Sequence, residues 1–93
     1  MIQKLDILCG KIIRPNTNYL VYTKNEVYEG IIKGHNTSFF GRKKIVMENV
    51  YKSKITRRGE EIIGKECILE IHYNKITKVM SKIENILIYE KNL

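Results

Sequence analysis

The chain has 93 residues, 43% of them hydrophobic and 29% charged, enough for one globular domain and too few for two. Lys+Arg 17 against Asp+Glu 10 leaves a net charge of +7, which fits an anionic partner, most commonly nucleic acid, and equally a lysine bias that keeps a small protein dissolved. The composition argues against a disordered chain, and no apolar run is long enough for a membrane span or a secretory leader, so the expected setting is intracellular, cytoplasmic or nuclear.

In chain order, Ile2, Leu5, Leu8, Cys9 and Ile12 recur at spacings of three and four, which predicts a helix over about 2–9 with Gly10 as its stop. Pro15-Asn16-Thr17-Asn18 is a turn cluster. Tyr19 to Lys24 and Val27 to Lys33 are rich in aromatic and β-branched residues and read as two strands joined at Asn25-Glu26. Gly30, mid-strand and in line with Tyr28 and Ile32, marks either a sharp bend of the kind that closes a small barrel or an incidental glycine in a generic hairpin. Residues 34–44 read as a loop holding Phe39-Phe40 and ending in Arg42-Lys43-Lys44. Lys44 to Tyr51 is a third strand, and residues 52–64 form a charged connector with a candidate hairpin turn at Arg58-Gly59.

Glu66 to Tyr73 alternates cleanly, with Cys67, Leu69, Ile71 and Tyr73 on one face. Asn74-Lys75 turns the chain into a short fifth strand, Ile76 to Met80, and residues 82–93 suit a helix and a strand equally. The expected core is Leu5, Leu8, Leu20, Tyr22, Ile32, Ile45, Met47, Leu69, Ile71 and Val79. Cys9 and Cys67 lie apart and outside any CxxC pair, so they are expected as buried thiols rather than as a zinc site. No catalytic motif is present, and no enzyme activity, cofactor, metal or small-molecule substrate is expected. The lone His35 has no partner at catalytic or metal-ligand spacing.

The predicted fold is mainly β: a small, strongly bent, five-stranded open barrel over about 11–80, preceded by the helix and followed by an extension over about 81–93, all in one domain. The residues that carry this order resemble the Sm and Sm-like (LSm) family. Tyr22 to Gly30 (YTKNEVYEG) is similar to the opening of its first motif, Asn36 falls where that motif usually has an aspartate, and Ile45 to Val50 (IVMENV) is similar to its third strand. Ile68 to Val79 has the apolar spacing of the second motif. Tyr73-Asn74 and Phe39-Phe40-Gly41 stand where ring-forming members carry an Arg-Gly pair and a loop Asn. The pattern is therefore nearer to the divergent LSm domains of mRNA-decapping and translational-repression proteins, several of which are monomeric protein-binding modules.

The resemblance implies that the loop at 36–44 and the turn at 73–75 lie close together and contact RNA. Aromatic faces stack on unpaired bases and cations neutralise phosphates. The candidate nucleic-acid-binding residues are Asn36, Phe40, Arg42, Lys43, Lys44, Tyr73, Asn74 and Lys75, with a second cationic group at Lys52, Lys54, Arg57 and Arg58. A folded-back Phe39-Phe40 pair and merely solvated cations are the competing readings of the same residues. The expected function is single-stranded RNA binding by a non-enzymatic Sm-like protein in RNA processing or ribonucleoprotein assembly. The alternatives are an Sm-like module that docks a protein chain, or a second copy, on exposed edges over Cys67 to Val79, and a small basic barrel associated with DNA or the ribosome.

Overall fold

The computed structural model describes residues 13–14, 16–37, 41 and 43–91. The predicted N-terminal helix, and with it Leu5, Leu8 and Cys9, lies outside the described residues, as do Phe40 and Arg42. The described chain is mainly β, with strands β1 (Asn18–Tyr22), β2 (Glu26–Thr37), β3 (Lys43–Thr56), β4 (Gly59–His72), β5 (Lys78–Ser81) and β6 (Ile86–Glu90). All six form one antiparallel sheet in the order β4-β3-β2-β1-β5-β6. A 3-10 turn, Tyr73–Lys75, links β4 to β5.

Two of these elements correct the sequence reading. Among the described residues there are six strands rather than five, because Ile86–Glu90 adds to the outer side of β5. The sheet therefore continues into the expected extension, and its outer strands are β4 and β6, not β4 and β5. Residues 34–37, read as loop, continue β2 and pair with β3 through Thr37↔Lys43. The charged connector, read with a candidate hairpin turn at Arg58-Gly59, is indeed the far half of a long β3–β4 hairpin, paired from Lys44↔His72 to Thr56↔Gly59. Its turn is closed by the Thr56 hydroxyl, which donates to the Gly59 carbonyl (2.9 Å) and accepts from the Arg58 N–H (3.2 Å). Gly59 supplies the positive φ of 114° that this turn requires.

No second layer covers the sheet among the described residues, yet Val21, Ile45, Met47, Val50, Ile76 and Val79 are fully enclosed. The sheet must therefore curl over itself. The bend is written at Gly30. Glu29 pairs with Tyr51 and Ile31 with Glu48, so Asn49 and Val50 together oppose one β2 residue. This is a β-bulge, and Asn49 adopts the left-handed φ of 51° that asparagine tolerates well. Side-chain inside and outside exchange across it: Ile45 and Met47 are buried before it and Val50 after it. A Cβ on Gly30 would stand 2.8 Å from the Glu48 carbonyl oxygen and 3.1 Å from that of Asn49. Only glycine lets β3 come that close.

The inward face of β1 is Tyr19 and Val21, not the expected Leu20 and Tyr22, which are only half-buried. Tyr19 pairs with Gly30 and Val21 with Tyr28, and the two faces of paired strands must match. The core is completed by Ile32, Ile71, Tyr73, Ile76 and Tyr89, with Ile13, Leu69 and Ile88 packed partly against it. Cys67, expected buried, is exposed on the outer strand β4. No helix among the described residues is long and apolar enough to cross a membrane.

Candidate functional site

Curling the sheet brings the ends of several strands together. Between them lies an open groove of about 500 Å³, lined by Tyr22 and Thr23 from the end of β1, Ile55 from β3, Thr77 and Lys78 at the start of β5, and Glu90 and Lys91 at the end of β6. The β1–β2 turn is tied to the hairpin by the Ile55 N–H, which donates to the Asn25 carbonyl (2.9 Å). Thr77 holds β5 against β1: its N–H and its hydroxyl both donate to the Tyr22 carbonyl, at 2.8 and 3.2 Å. At the far wall the Lys91 N–H donates to the Thr77 carbonyl (2.9 Å) and its ammonium to the Asn74 carbonyl (3.1 Å).

Tyr22, Lys78 and Glu90 form one cross-strand row, Tyr22 pairing with Lys78 and Lys78 with Glu90. The pairing sets the Lys78 ammonium 4.4 Å from the centre of the Tyr22 ring, a cation–π contact. Burial, and then the nearby Glu60 carboxylate, push the Tyr22 hydroxyl above its ordinary value. The groove thus offers an aromatic ring, an apolar side chain and two ammonium groups, with the Glu90 carboxylate in its lining and the Glu60 carboxylate close to Tyr22. The ring and the two ammonium groups are the part of that set that suits an anionic ligand with a flat apolar part.

Among the described residues, the sequence-predicted candidates do not converge on one patch. Tyr73, expected to stack on a base, is instead 2% exposed and part of the core. Alternation along β4 carries this ring inward after Ile71. Asn36, Lys44 and His72 form a row across β2, β3 and β4 at the start of the hairpin. Within it Glu70 accepts from the Asn36 amide (3.4 Å) and faces the Lys44 ammonium (3.7 Å), which offsets the lysine charge. Lys43 is half-buried in the neighbouring position. Arg57 and Arg58 are exposed at the opposite end of β3, in the hairpin turn. Lys54 lies between Glu26 and Glu61 on the flanking strands, and Lys52 opposite Tyr28 and Gly64. Asn74 and Lys75 are exposed in the 3-10 turn, and Asn74 reaches the groove through Lys91.

No family model matches the chain, and no match was found among curated proteins or solved structures.

Sequence reasoning misses Tyr22, Lys78 and Lys91 as a group. Their meeting depends on β5 pairing with β1, a contact between distant parts of the chain that no local pattern signals. Tyr22 reads as core in the sequence because Leu20/Tyr22 and Tyr19/Val21 alternate equally well. Among the described residues no group of three His, Cys, Asp or Glu side chains is placed to hold a metal ion.

Proposed function

We propose that this chain is a non-enzymatic, Sm-like protein that binds single-stranded RNA through the groove between β1, β3, β5 and β6. The observation that carries the reading is the cross-strand pair of Tyr22 and Lys78 in a groove that also holds Lys91. Cations alone bind any nucleic acid and release it as salt rises. An aromatic ring beside them favours strands whose bases are free to stack, at ~1–3 kcal/mol per base. The exposed cations Arg57 and Arg58 lie in the turn of the hairpin whose Ile55 forms one wall, and the exposed Lys24 in the β1–β2 turn beside Thr23. They extend the positive field along a bound strand. The succession of strands, the bend at Gly30 and the β1–β5 pairing support the Sm-like part of the reading. The sixth strand departs from the five-stranded pattern. In this reading the chain acts in RNA processing or in assembling ribonucleoprotein particles.

The test is fluorescence anisotropy with labelled oligo-uridine and with a duplex of equal length, each titrated over a range of salt. The parent should prefer the single strand. The double variant Lys78→Ala/Lys91→Ala should weaken binding and flatten the salt slope by about 1.4, at ~0.7 for each single-strand phosphate that is no longer neutralised. A double variant with the parent's affinity and slope would move the site elsewhere or end the RNA reading.

A further inference from the structure

Most polar side chains of the groove are engaged by the fold itself. The Thr23 hydroxyl is tied into the β1–β2 turn, donating to the Glu26 carbonyl and accepting from the Glu26 N–H, both at 3.3 Å. The Thr77 hydroxyl donates to the Tyr22 carbonyl, the Lys91 ammonium donates to the Asn74 carbonyl, and the Lys78 ammonium lies against the Tyr22 ring. Glu90 lines the same groove, and among the described residues its carboxylate has neither an ion pair nor a hydrogen bond. A carboxylate is acceptor-only, with two oxygens side by side. Its place follows from the register. Tyr22 pairs with Lys78 and Lys78 with Glu90, so the three side chains stand on one face in the order ring, ammonium, carboxylate. With neighbouring strands about 4.8 Å apart, the backbones of Tyr22 and Glu90 lie about 10 Å apart across β5. The ring and the glutamate side chain reach into that gap from its two ends.

We propose that Glu90 makes the groove select guanine among the bases of a single strand. The inference rests on the RNA reading above and adds to it which base the groove takes. A carboxylate repels a phosphate backbone, so in this groove it opposes binding unless its charge meets a donor on a base. Stacking on Tyr22 is tolerant of base identity, so the choice falls to the base edge that turns along the row. On its Watson–Crick edge uracil carries one N–H between two carbonyl oxygens, and those oxygens repel the carboxylate. Cytosine and adenine each carry one amino group beside a bare ring nitrogen. Guanine alone carries two donors side by side, N1–H and the 2-amino group, which match the two carboxylate oxygens as an arginine fork does. Both bonds are charge-assisted and therefore stronger than neutral ones. The guanine O6, next to N1, then falls on the side of Lys78, and a lysine donating to that oxygen is a common base contact. Glu60, the other carboxylate near the ring, pairs with Ile55 on the hairpin side, away from this row.

Fluorescence anisotropy with the full chain tests this on three labelled strands of equal length. One is all uridine, one carries a single central guanosine, and one carries inosine at that place, which keeps N1–H and O6 but lacks the 2-amino group. A single guanosine avoids quadruplex formation. The parent should bind the guanosine strand roughly five- to tenfold more tightly than the all-uridine strand, the low end for a bidentate contact because the groove is open to water. The inosine strand should fall between them. Glu90→Gln keeps the side chain's size but exchanges one acceptor oxygen for an amide donor, and should bring the guanosine-to-uridine ratio close to one. Glu90 is exposed on β6, and circular dichroism checks that the variant folds. A purely structural role for Glu90 would change all three affinities by one factor and leave the ratio intact. Three results would each overturn the proposal and leave the RNA reading standing: equal binding of the guanosine and uridine strands by the parent, a preference that Glu90→Gln retains, or an inosine strand bound as tightly as the guanosine strand. A parent that binds none of the three would remove the RNA reading and this inference with it.

Discussion

The ammonium of Lys78 lies 4.4 Å from the centre of the Tyr22 ring, directly across the β1–β5 pairing. The pair joins the two kinds of interaction that single-stranded RNA uses, and they respond to different substitutions. Tyr22→Ala should lower affinity for oligo-uridine by a factor corresponding to ~1–3 kcal/mol and leave the salt slope nearly unchanged. Lys78→Ala should lower the slope by about 0.7. Anisotropy titrations at several salt concentrations read both. Identical effects from the two substitutions would mean that the pair only braces β1 against β5.

Gly30 makes the second prediction. Alanine already places a methyl group 2.8 Å from the Glu48 carbonyl oxygen, and backbone cannot step aside as a flexible side chain can. Overpacking of this kind typically costs ~1–3 kcal/mol. Gly30→Ala should therefore lower the denaturation midpoint, and Gly30→Val should lower it further. A Gly30→Val protein with the parent's midpoint would show that β3 does not press against β2 there.

The third prediction concerns alkaline pH. Burial, together with the 2.7 Å hydrogen bond that the Tyr28 hydroxyl donates to Glu26, pushes this phenol up to about 12 from its usual 10. The folded state therefore holds the proton more tightly than the unfolded chain. The stabilisation is complete below pH 10 and is lost as pH rises from 10 through about 12. Tyr22 and Tyr89 are shifted in the same direction by burial and add to the slope. Urea midpoints measured across this window should fall less for Tyr28→Phe than for the parent. Equal slopes would mean that the phenol is as free in the fold as out of it.

The fourth compares two apolar deletions. Met47 is fully buried in the first half of β3, and Met47→Ala should cost ~2–5 kcal/mol. Leu69 is only partly buried against the core, so Leu69→Ala should cost less than that range. Chemical denaturation ranks them, and a larger loss at Leu69 would place the core nearer β4 than the burial pattern does.

What the sequence reveals follows from the range of the interaction involved. Strand propensity and alternation are local, so the first strands, the long hairpin turn and the inward Ile32, Ile45, Met47 and Ile71 are legible without a structure. Gly30 is legible as a bend because a strand glycine needs a reason, although its partner, the bulge at Asn49, shows only in the pairing. The phase of β1 is not legible, since both of its faces carry large apolar residues and only the pairing with β2 chooses between them. Strand β6 is ambiguous for a similar reason. Ile86, Leu87 and Ile88 form a continuous apolar run, and a bulge between its pairings with Val79 and Met80 breaks the alternation that would have marked a strand. The groove is least legible, because its walls come from four separated stretches of chain.

The place of β1 in the sheet bears on the order in which the molecule is made. Strands β1 to β4 form a meander, each pairing with the one just before it, and can assemble as they leave the ribosome. The second neighbour of β1 does not exist until residues 78–81 have been synthesised. Until then Val21 and Tyr19 have half their cover, and Tyr22 has no Lys78 beside it. Closing that long loop is the entropically costly event, so the step that seals the core is also the step that creates the groove.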